Sequence, residues 1–365
     1  MSLEEHRIKI DAIDTEIIRL LNERADIVHE IGVIKKRDGL EIYAPEREEK
    51  LLRRLVAKGK GGRLPDVSIR AIYREIMSAA LALEEDLKIA YLGPVGTWTH
   101  QAAIRKFGHS VKYLPQPSFG DVFEQVGRRL ADYGVIPIEN STEGAVRDMF
   151  QLFVKHPLKI CADISLPVQI CLMARETGGT IRRVFGHPTN LAAARHWLAR
   201  ELPGCELLEV ANSSEAAAEA LADSDAAAIG THIAAEINGL NLVATGIEDE
   251  ATTARFSVVG RRASLPTGND LTLMTVSGAE IGNTLSETLR LLEGAGVETI
   301  RVDAHEVDRS EPAEPNQRVL VRLEIVGHAE VAPVSDAISE LRQSGRIVTV
   351  FGSYPQPMVD RADGN

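Results

Sequence analysis

The sequence is poor in the residues that build disulfides, metal sites and aromatic cores. Its 3 cysteines, Cys161, Cys171 and Cys205, are too few and too scattered for a disulfide framework or a zinc site. Aromatic residues make up only 4% of the chain, so its cores must be aliphatic and rich in alanine. No Gly-rich phosphate loop is visible. We therefore expect no metal and no cofactor.

Positive charge and long apolar runs are also lacking. The net charge of −12 argues against nucleic-acid binding, which needs a basic surface. No apolar run approaches the roughly 20 residues of a membrane span. The first residues, Met-Ser-Leu-Glu-Glu-His, contain no apolar signal region. A cytoplasmic protein without membrane or nucleic-acid partners is the expectation.

The first 87 residues show helical spacing of apolar residues. Ile13, Ile17, Val28 and Ile31 recur at that spacing, and neither Gly nor Pro occurs before Gly32. A helix over this stretch would be about 50 Å long at 1.5 Å per residue, too long for a monomeric globule of three helices. We predict that it buries its apolar stripe against a partner chain. Two shorter helices are predicted to follow, over about residues 44–59 and 65–87.

The rest of the chain divides into two segments. Residues 88–262 alternate short strands and helices, the α/β pattern of an open, mostly parallel sheet. The apolar stretch Leu158–Ala174 is predicted to carry the chain into a second lobe, which leaves a cleft between the lobes. Residues 263–365 follow a linker and have the order strand, helix, strand, strand, helix, strand. That order is the α+β ferredoxin-like plan.

Two strand-end turns in the middle segment are dense in polar groups. The strand Val135–Ile138 ends in Glu139-Asn-Ser-Thr142 before a helix start, and the strand Lys88–Leu92 ends in Gly93-Pro-Val-Gly-Thr97 before another. Helix N-termini present unpaired N–H groups and the positive end of a dipole, so such turns bind anions well. Two of them facing each other across a cleft would hold a small, doubly charged acid.

Two cations interrupt the apolar stripe of the long first helix. Arg24 and Lys35 are eleven residues apart, about three helical turns, so they share a face with apolar residues. Cations there are costly unless an anion pairs them, although their stems could instead reach solvent at the edge of the stripe. Arg7 lies about 100° off that face and could serve only a different pocket, such as one in a partner chain. Arg47 and Glu84 add charge that faces the same interior.

The charged residues of the first segment and the turns of the second carry a resemblance. The series Arg7, Arg24, Lys35, Arg47-Glu48 and Glu84 resembles the helical chorismate mutase domain, whose dimers interlock through the first helix. Gly93–Thr97 and Pro137–Ser141 resemble prephenate dehydratase, and residues 263–365 resemble an ACT regulatory domain. The order is that of the bifunctional chorismate mutase/prephenate dehydratases of phenylalanine biosynthesis. The resemblance implies an intertwined all-α domain over 1–87, a two-lobed α/β domain like periplasmic binding proteins over 88–262, and an ACT-like domain over 263–365.

The resemblance also implies roles in the mutase site. Arg24 and the partner subunit's Arg7 would hold the two carboxylates of chorismate. Lys35 would donate to the ether oxygen, Arg47 would support the site and Glu48 would accept a substrate hydroxyl. The reaction is unimolecular and needs no nucleophile, so restriction and electrostatics must do the work. Glu84 stands where the family has Gln or Glu. A carboxylate cannot donate, so Glu84 must be protonated to help, which burial favours and nearby cations oppose.

For the dehydratase site, the resemblance implies that the two polar turns hold the carboxylates of prephenate. The residues expected to bind substrate there are Thr97, Thr99, Glu139, Asn140, Ser141 and Thr142. Thr99 and Ser141 could equally be helix caps. The family's Thr-Arg-Phe is here Ala254-Arg255-Phe256, which keeps two expected substrate-binding residues but lacks the catalytic hydroxyl. Thr253 is our candidate to replace it, although a shift of one residue points a strand side chain to the other face. His187 remains as a candidate hydrogen-bond donor or acid.

Other functions remain open at this point. The turn of the ACT-like segment is Gly282-Asn-Thr-Leu285 and a later stretch is Asp303-Ala-His-Glu306, both unlike the family's phenylalanine-binding pattern. Allosteric L-phenylalanine is therefore a family expectation, and a purely structural module is the alternative. The dehydratase could be impaired, or could prefer arogenate. A two-lobed ligand-binding or sensing protein is a further alternative. A homodimer or tetramer acting on chorismate and prephenate is the leading hypothesis.

Overall fold

The computed structural model describes residues 2–139, 152–153, 155–306 and 317–356. The chain forms two compact units. The first comprises Met1–Lys88 with Lys106–Lys112, and the second comprises Ile89–Arg105 with Tyr113–Asn365. Residues 106–112 belong to the predicted α/β segment in sequence but pack with the helices of the first unit.

Three helices build the first unit, as predicted: α1 (Leu3–Asp38), α2 (Pro45–Gly59) and α3 (Asp66–Glu84). A capping box between Ser2 and Glu5 starts α1, and Gly39 ends it in the left-handed region at φ 65°. Pro45 occupies the first turn of α2, where its missing N–H costs nothing. The third helix ends at Glu84 rather than Leu87, because Glu85 turns to extended backbone ahead of the next strand.

The long first helix is almost uncovered within one chain. Gly32 is its only buried residue, although α1 is 36 residues long. Ile13 is 59% exposed and Ile17 is 47% exposed. A contiguous apolar surface of this kind usually marks an interaction site.

The first lobe of the second unit is a mixed five-stranded sheet in the order β2-β1-β3-β10-β4. Strand β1 runs parallel to β3, whereas β10 runs antiparallel to both of its neighbours. The expectation of a mostly parallel sheet was therefore wrong, because one strand returns from the other lobe. The elements of this lobe are β1 (Lys88–Leu92), α4 (Trp98–Phe107), β2 (Lys112–Gln116), α5 (Phe119–Gly127), β3 (Tyr133–Glu139), β4 (Lys159–Val168) and β10 (Thr252–Gly260).

A second sheet, in the order β7-β6-β8-β5-β9, forms the other lobe. The chain enters it through residues 169–170 and leaves through 246–251, so β4 and β10 are the two strands that cross between lobes. Residues 188–201 form two helices rather than one, since Ala194 leaves helical geometry. The elements are β5 (Cys171–Ala174), β6 (Arg183–Gly186), α6 (Pro188–Ala193), α7 (Arg195–Glu201), β7 (Glu206–Glu209), α8 (Ser213–Ala222), β8 (Ala226–Gly230), α9 (His232–Asn238) and β9 (Asn241–Thr245).

In its described residues, 263–306 and 317–356, the C-terminal segment has one antiparallel sheet in the order β12-β13-β11-β14 and two helices. One sheet face, with Met274 and Val276, packs on the helices. The other, with Leu273 and Tyr354, joins the core of the first lobe. The observed element order is the predicted one: β11 (Asp270–Gly278), α10 (Ile281–Gly294), β12 (Thr299–Glu306), β13 (Val319–Val326), α11 (Val334–Gln343) and β14 (Ile347–Pro355).

Candidate active sites

A cationic cleft of about 690 Å³ opens in the helical unit. Arg24 of α1 and Arg47 of α2 line it together with Lys50 and Arg54, against a single acid, Glu23. Its floor is apolar and includes Val28 and Ile31 of α1. The structure thus brings together Arg24 and Arg47, two of the residues singled out in the sequence. A pocket with this excess of cations suits a small dianion.

A buried ion pair lies between α1 and α3. Lys35 Nζ donates to Glu84 Oε2 at 2.9 Å and to the backbone oxygen of Ile42 at 2.6 Å. The side chains are only 16% and 7% exposed. Gly32 makes this approach possible, because a Cβ at that position would lie 3.1 Å from Glu84 Cγ. Lys35 and Glu84, 49 residues apart, therefore meet as the sequence pattern predicts.

Glu48 has a partner that the sequence did not suggest. Lys106, near the end of α4, donates to Glu48 Oε1 at 3.1 Å, with both side chains mostly buried. The same ammonium lies 5.9 Å from the ring centroid of buried Tyr43. Nothing local in the sequence marks this contact, since it joins residues 58 positions apart. Lys106 therefore holds the carboxylate that the family resemblance assigns to a substrate hydroxyl.

We expect Lys106→Met to weaken the mutase reaction about 3- to 10-fold. Loss of the ammonium frees the Glu48 carboxylate from its orientation, and a misplaced contact costs of the order of 1 kcal/mol. The measurement is mutase kcat/KM for chorismate, with Lys58→Met on the solvent side of α2 as the matched control. Unchanged kcat/KM in Lys106→Met would show that Glu48 keeps its position without this contact.

Arg7 cannot reach the cleft of its own chain. It is 63% exposed and lies 3.6 Å from Glu4. Seventeen residues of helix separate it from Arg24, about 25 Å along the axis. Its predicted place in a mutase pocket stays a prediction that requires a second chain.

In the first lobe of the second unit, the turn after β1 is closed by its own polar groups. Thr97 Oγ1 donates to the backbone oxygen of Pro94 at 3.0 Å and accepts the N–H of His100 at 3.4 Å, as a helix cap would. Thr99 is buried. His100 Nδ1 accepts the N–H of Gly96 at 3.2 Å, and its ring stacks on Tyr91 at 4.7 Å. Burial lowers the pKa of His100, so the ring is a neutral acceptor near neutral pH.

The second polar turn cannot be compared in the same way. Glu139 ends β3, and its backbone pairs with Arg255 of β10. Asn140, Ser141 and Thr142 lie outside the described residues, as does the side chain of Glu139. Their predicted roles in substrate binding stay predictions.

Three helices of the second lobe begin at one edge of its sheet. Strands β6, β7 and β8 run parallel, and helices α6, α8 and α9 start from the caps His187, Asn212 and Thr231 beyond their carboxyl ends. Open α/β sheets bind ligands at this edge. Thr231 Oγ1 also donates to the backbone oxygen of Gly96 at 2.6 Å, which links this edge to the turn of the first lobe.

His187 is a cap in this arrangement. Its Nδ1 accepts the N–H of Thr189 at 3.3 Å, and the side chain is partly buried. An accepting Nδ1 assigns the proton of a neutral ring to Nε2, which leaves one N–H donor. His187 can therefore cap α6 through Nδ1 and still donate a hydrogen bond from Nε2.

Sequence reasoning missed two buried polar residues at the same edge. Asn190 Nδ2 lies 3.4 Å from Ser213 Oγ, and both side chains are buried. A signal for Ser213 was present, because Asn212-Ser-Ser-Glu215 before an alanine-rich run has the spacing of a capping box. Asn190 carries no such local signal.

Strand β10 sends alternate side chains to opposite faces. Ala254 and Phe256 share one face, whereas Thr253 shares the other with Arg255 and is exposed. Thr253 therefore reaches the Ala254 face only if the strand shifts, so its catalytic role stays a prediction. Arg255 is engaged by Asp163 and Glu324 at 3.0 and 2.7 Å.

Among residues 2–139, 152–153, 155–306 and 317–356, no group of three or more His, Cys, Asp or Glu side chains is placed to hold a metal ion. Within the same ranges, no helix has the length and apolarity to cross a membrane.

Comparison with protein families matches two parts of the chain. A model of chorismate mutase type II matches residues 6–85, and one of prephenate dehydratase matches residues 89–264. The bifunctional chorismate mutase/prephenate dehydratase of Aquifex aeolicus is 36% identical over 363 residues, which cover 98% of this chain and 99% of that protein. The protein of the same description from Neisseria gonorrhoeae is 40% identical and covers 96% of each chain.

Solved structures agree on the fold of the second unit. The prephenate dehydratase of Arthrobacter aurescens in complex with L-Phe is 27% identical, with a TM-score of 0.64 over 76% of this chain and 94% of that one. The prephenate dehydratase of Staphylococcus aureus is 17% identical, with a TM-score of 0.61 over 73% of this chain and all of that one. The latter likeness concerns the fold alone.

Proposed function

The chain belongs to the bifunctional chorismate mutase/prephenate dehydratases, and we propose that its cationic helical cleft is the mutase site and the facing strand ends of its two lobes are the dehydratase site. The family's reactions convert chorismate to prephenate and prephenate to phenylpyruvate in phenylalanine biosynthesis. The observation that carries the mutase assignment is the cleft lined by Arg24 and Arg47 in a unit that also contains the buried Lys35–Glu84 pair.

In the mutase reaction, the C–O bond of the enolpyruvyl ether breaks as a new C–C bond forms. Negative charge builds on the ether oxygen in the transition state. Arg24 would hold one carboxylate in the compact conformer with support from Arg47, and Lys35 would donate to the ether oxygen. A donor aimed at developing charge in a desolvated site stabilises the transition state more than the ground state.

We propose that the mutase unit works as a homodimer. The exposed apolar face of α1 needs cover, and Arg7 lies about 25 Å from its own Arg24 along the helix. A second copy of α1 would supply both the apolar cover and the missing carboxylate ligand. Whether such dimers pair into tetramers is a separate matter for sedimentation measurements.

The variant Glu84→Gln should show whether residue 84 acts as a donor in the mutase reaction. In this structure Glu84 accepts from Lys35 at 2.9 Å, and a carboxyl group can donate to the ether oxygen only when protonated, whereas the Gln amide donates at every pH. We expect mutase kcat in Glu84→Gln to depend less on pH than in the unmodified chain. A pH profile equally steep in both proteins would assign the pH dependence to another group.

In the dehydratase reaction, prephenate loses its ring hydroxyl and CO2 together. The protein must hold two carboxylates and help hydroxide leave, by proton donation or a strong hydrogen bond. We propose that the turn containing Thr97 and Thr99, with residues 139–142, binds the carboxylates. His187, through its Nε2–H, is the proposed donor to the leaving group. Phe256 would contribute an apolar wall.

The alternative is a mutase whose dehydratase half is impaired or prefers arogenate. It is favoured by one observation, the methyl group of Ala254 where the family has a hydroxyl. Arogenate carries an amino group where prephenate carries a keto oxygen, so the two substrates ask for opposite hydrogen-bonding partners.

We also propose that residues 263–365 form an ACT-like domain through which L-phenylalanine inhibits the dehydratase. The support is the order of its four strands and two helices, together with the bound L-Phe of the Arthrobacter aurescens relative. The unusual turns at 282–285 and 303–306 would make that inhibition weaker than in relatives with the common pattern.

A coupled assay of the purified full chain tests these assignments. Chorismate and prephenate are supplied separately, and chorismate loss and phenylpyruvate formation are followed with and without L-phenylalanine. Phenylpyruvate from both substrates supports both sites. Prephenate that accumulates untouched reduces the function to chorismate mutase, and turnover of arogenate in a parallel sample would identify the other substrate.

A further inference from the structure

The second unit contains a buried charge network between the crossing strands and the C-terminal sheet. Arg255 of β10 forms a bidentate pair with Glu324 of β13, with Nη2–Oε1 at 2.7 Å and Nη1–Oε2 at 2.9 Å. The same guanidinium donates to Asp163 Oδ2 of β4 at 3.0 and 3.2 Å. Tyr354 of β14 donates its hydroxyl to Glu324 Oε1 at 2.8 Å. The exposed fractions of Arg255, Glu324 and Asp163 are 12%, 4% and 2%.

Opposite charges hold the members of the network together. Burial alone would raise the pKa of Glu324, but Arg255 and the Tyr354 hydroxyl together lower it, so the carboxylate is ionised. Burial, then the nearby carboxylates, raises the pKa of Tyr354, so its hydroxyl stays a donor. Bidentate pairs between Arg and a carboxylate fix direction as well as distance. Each member therefore constrains the position of the others.

Two members of the network lie on the strands that connect the lobes. Strands β4 and β10 cross between the two lobes, and Asp163 and Arg255 lie on them as near neighbours. A second contact lies at the start of β4, where Lys159 Nζ donates to the backbone oxygen of Val350 in β14 at 2.8 Å. The C-terminal sheet thus contacts both β4 and β10 through side-chain hydrogen bonds. On β10, the bonded residue is Arg255, which lies directly between Ala254 and Phe256.

We propose that Glu324 is a positioning residue for the dehydratase reaction. Acting through Arg255, it fixes the register and tilt of β10 and so aims the Ala254 and Phe256 face at the substrate. Arg255 is on this view a tie to the C-terminal sheet rather than a substrate ligand. The proposal rests on the dehydratase assignment made above, and adds a residue 69 positions away from the strand it serves.

Steady-state kinetics of Glu324→Gln in the full chain provide the test. Gln keeps the shape and one acceptor but removes the charge. We expect dehydratase kcat to fall about 10-fold or more while KM for prephenate changes less than 3-fold, because the substrate ligands themselves stay in place. Mutase activity of the same molecule should be unchanged. Glu287→Gln is the matched control, since Glu287 pairs with Arg346 on the helix side of the same sheet.

A second variant and a second readout keep the outcomes distinct. Tyr354→Phe removes only the donation to Glu324 and should lower dehydratase kcat about 3-fold. Amide exchange over residues 252–260 should rise about 10-fold in Glu324→Gln and stay unchanged in the second lobe. Wild-type kcat together with wild-type exchange in Glu324→Gln would overturn the proposal. If the unmodified chain makes no phenylpyruvate, the dehydratase assignment fails. Amide exchange over residues 252–260 in Glu324→Gln then decides alone whether Glu324 holds β10 in place through Arg255.

Discussion

Replacing Lys35 by Met is expected to lower mutase kcat by about 10²–10³-fold, with a smaller change in KM for chorismate. A single preorganised donor to a developing oxyanion is worth this much in other enzymes. Lys35 is mostly buried, at 16% side-chain exposure, and its Nζ donates to Glu84 and to the backbone oxygen of Ile42. The measurement is the loss of chorismate under saturating and limiting substrate.

Two companion variants separate chemistry from stability. Lys35→Met strands the Glu84 carboxylate, and breaking a buried ion pair costs about 3–5 kcal/mol of unfolding free energy. The double variant Lys35→Met/Glu84→Gln removes the stranded charge and should regain stability without regaining activity. Lys36→Met, on the exposed side of α1, should match the unmodified protein in both. Mutase activity restored in the double variant would mean that Lys35 only supports the fold.

Replacing Ala254 by Thr is expected to raise dehydratase kcat by about 10²-fold. A positioned proton donor or hydroxyl contributes about 10²–10⁴-fold to reactions of this kind, and Ala254 lacks one where the family has it. Phenylpyruvate formation from prephenate is the measurement. Ala254→Val has the same shape as Thr without the hydroxyl, so it should gain nothing.

The same experiment decides the role of Thr253. If Thr253 already supplies the hydroxyl through a shifted strand, Thr253→Val should lose most dehydratase activity and Ala254→Thr should gain little. If strand alternation holds, Thr253→Val should be silent, because its side chain shares the Arg255 face. The two outcomes exclude each other.

Local patterns predicted much of the architecture. The helices of the first unit and the element order of the C-terminal segment follow from the spacing of apolar residues. The meeting of Lys35 with Glu84 follows from the spacing of charged residues that the family shares. These features depend on neighbours within a few turns, or on a family pattern.

The remaining features depend on packing between distant segments. The antiparallel course of β10 is set by its return from the second lobe, which no local period encodes. The contact between Lys106 and Glu48 crosses 58 residues, and the tie from Arg255 to Glu324 crosses 69. A lone Arg in a strand pattern gives no hint of which sheet it will contact. Strand alternation did predict that the side chains of Thr253 and Ala254 would point to opposite faces of the sheet. A local rule of this kind predicts no contact between distant segments.

Gly32 links helix propensity to the placement of Glu84. Glycine inside a helix costs about 0.5–1 kcal/mol relative to alanine, and α1 carries that cost near its C-terminal end at Asp38. An alanine there would remove the cost, yet its Cβ would lie 3.1 Å from Glu84 Cγ, so the Glu84 side chain would have to shift slightly. An alanine chosen at this position for heat resistance would therefore move a side chain that pairs with Lys35.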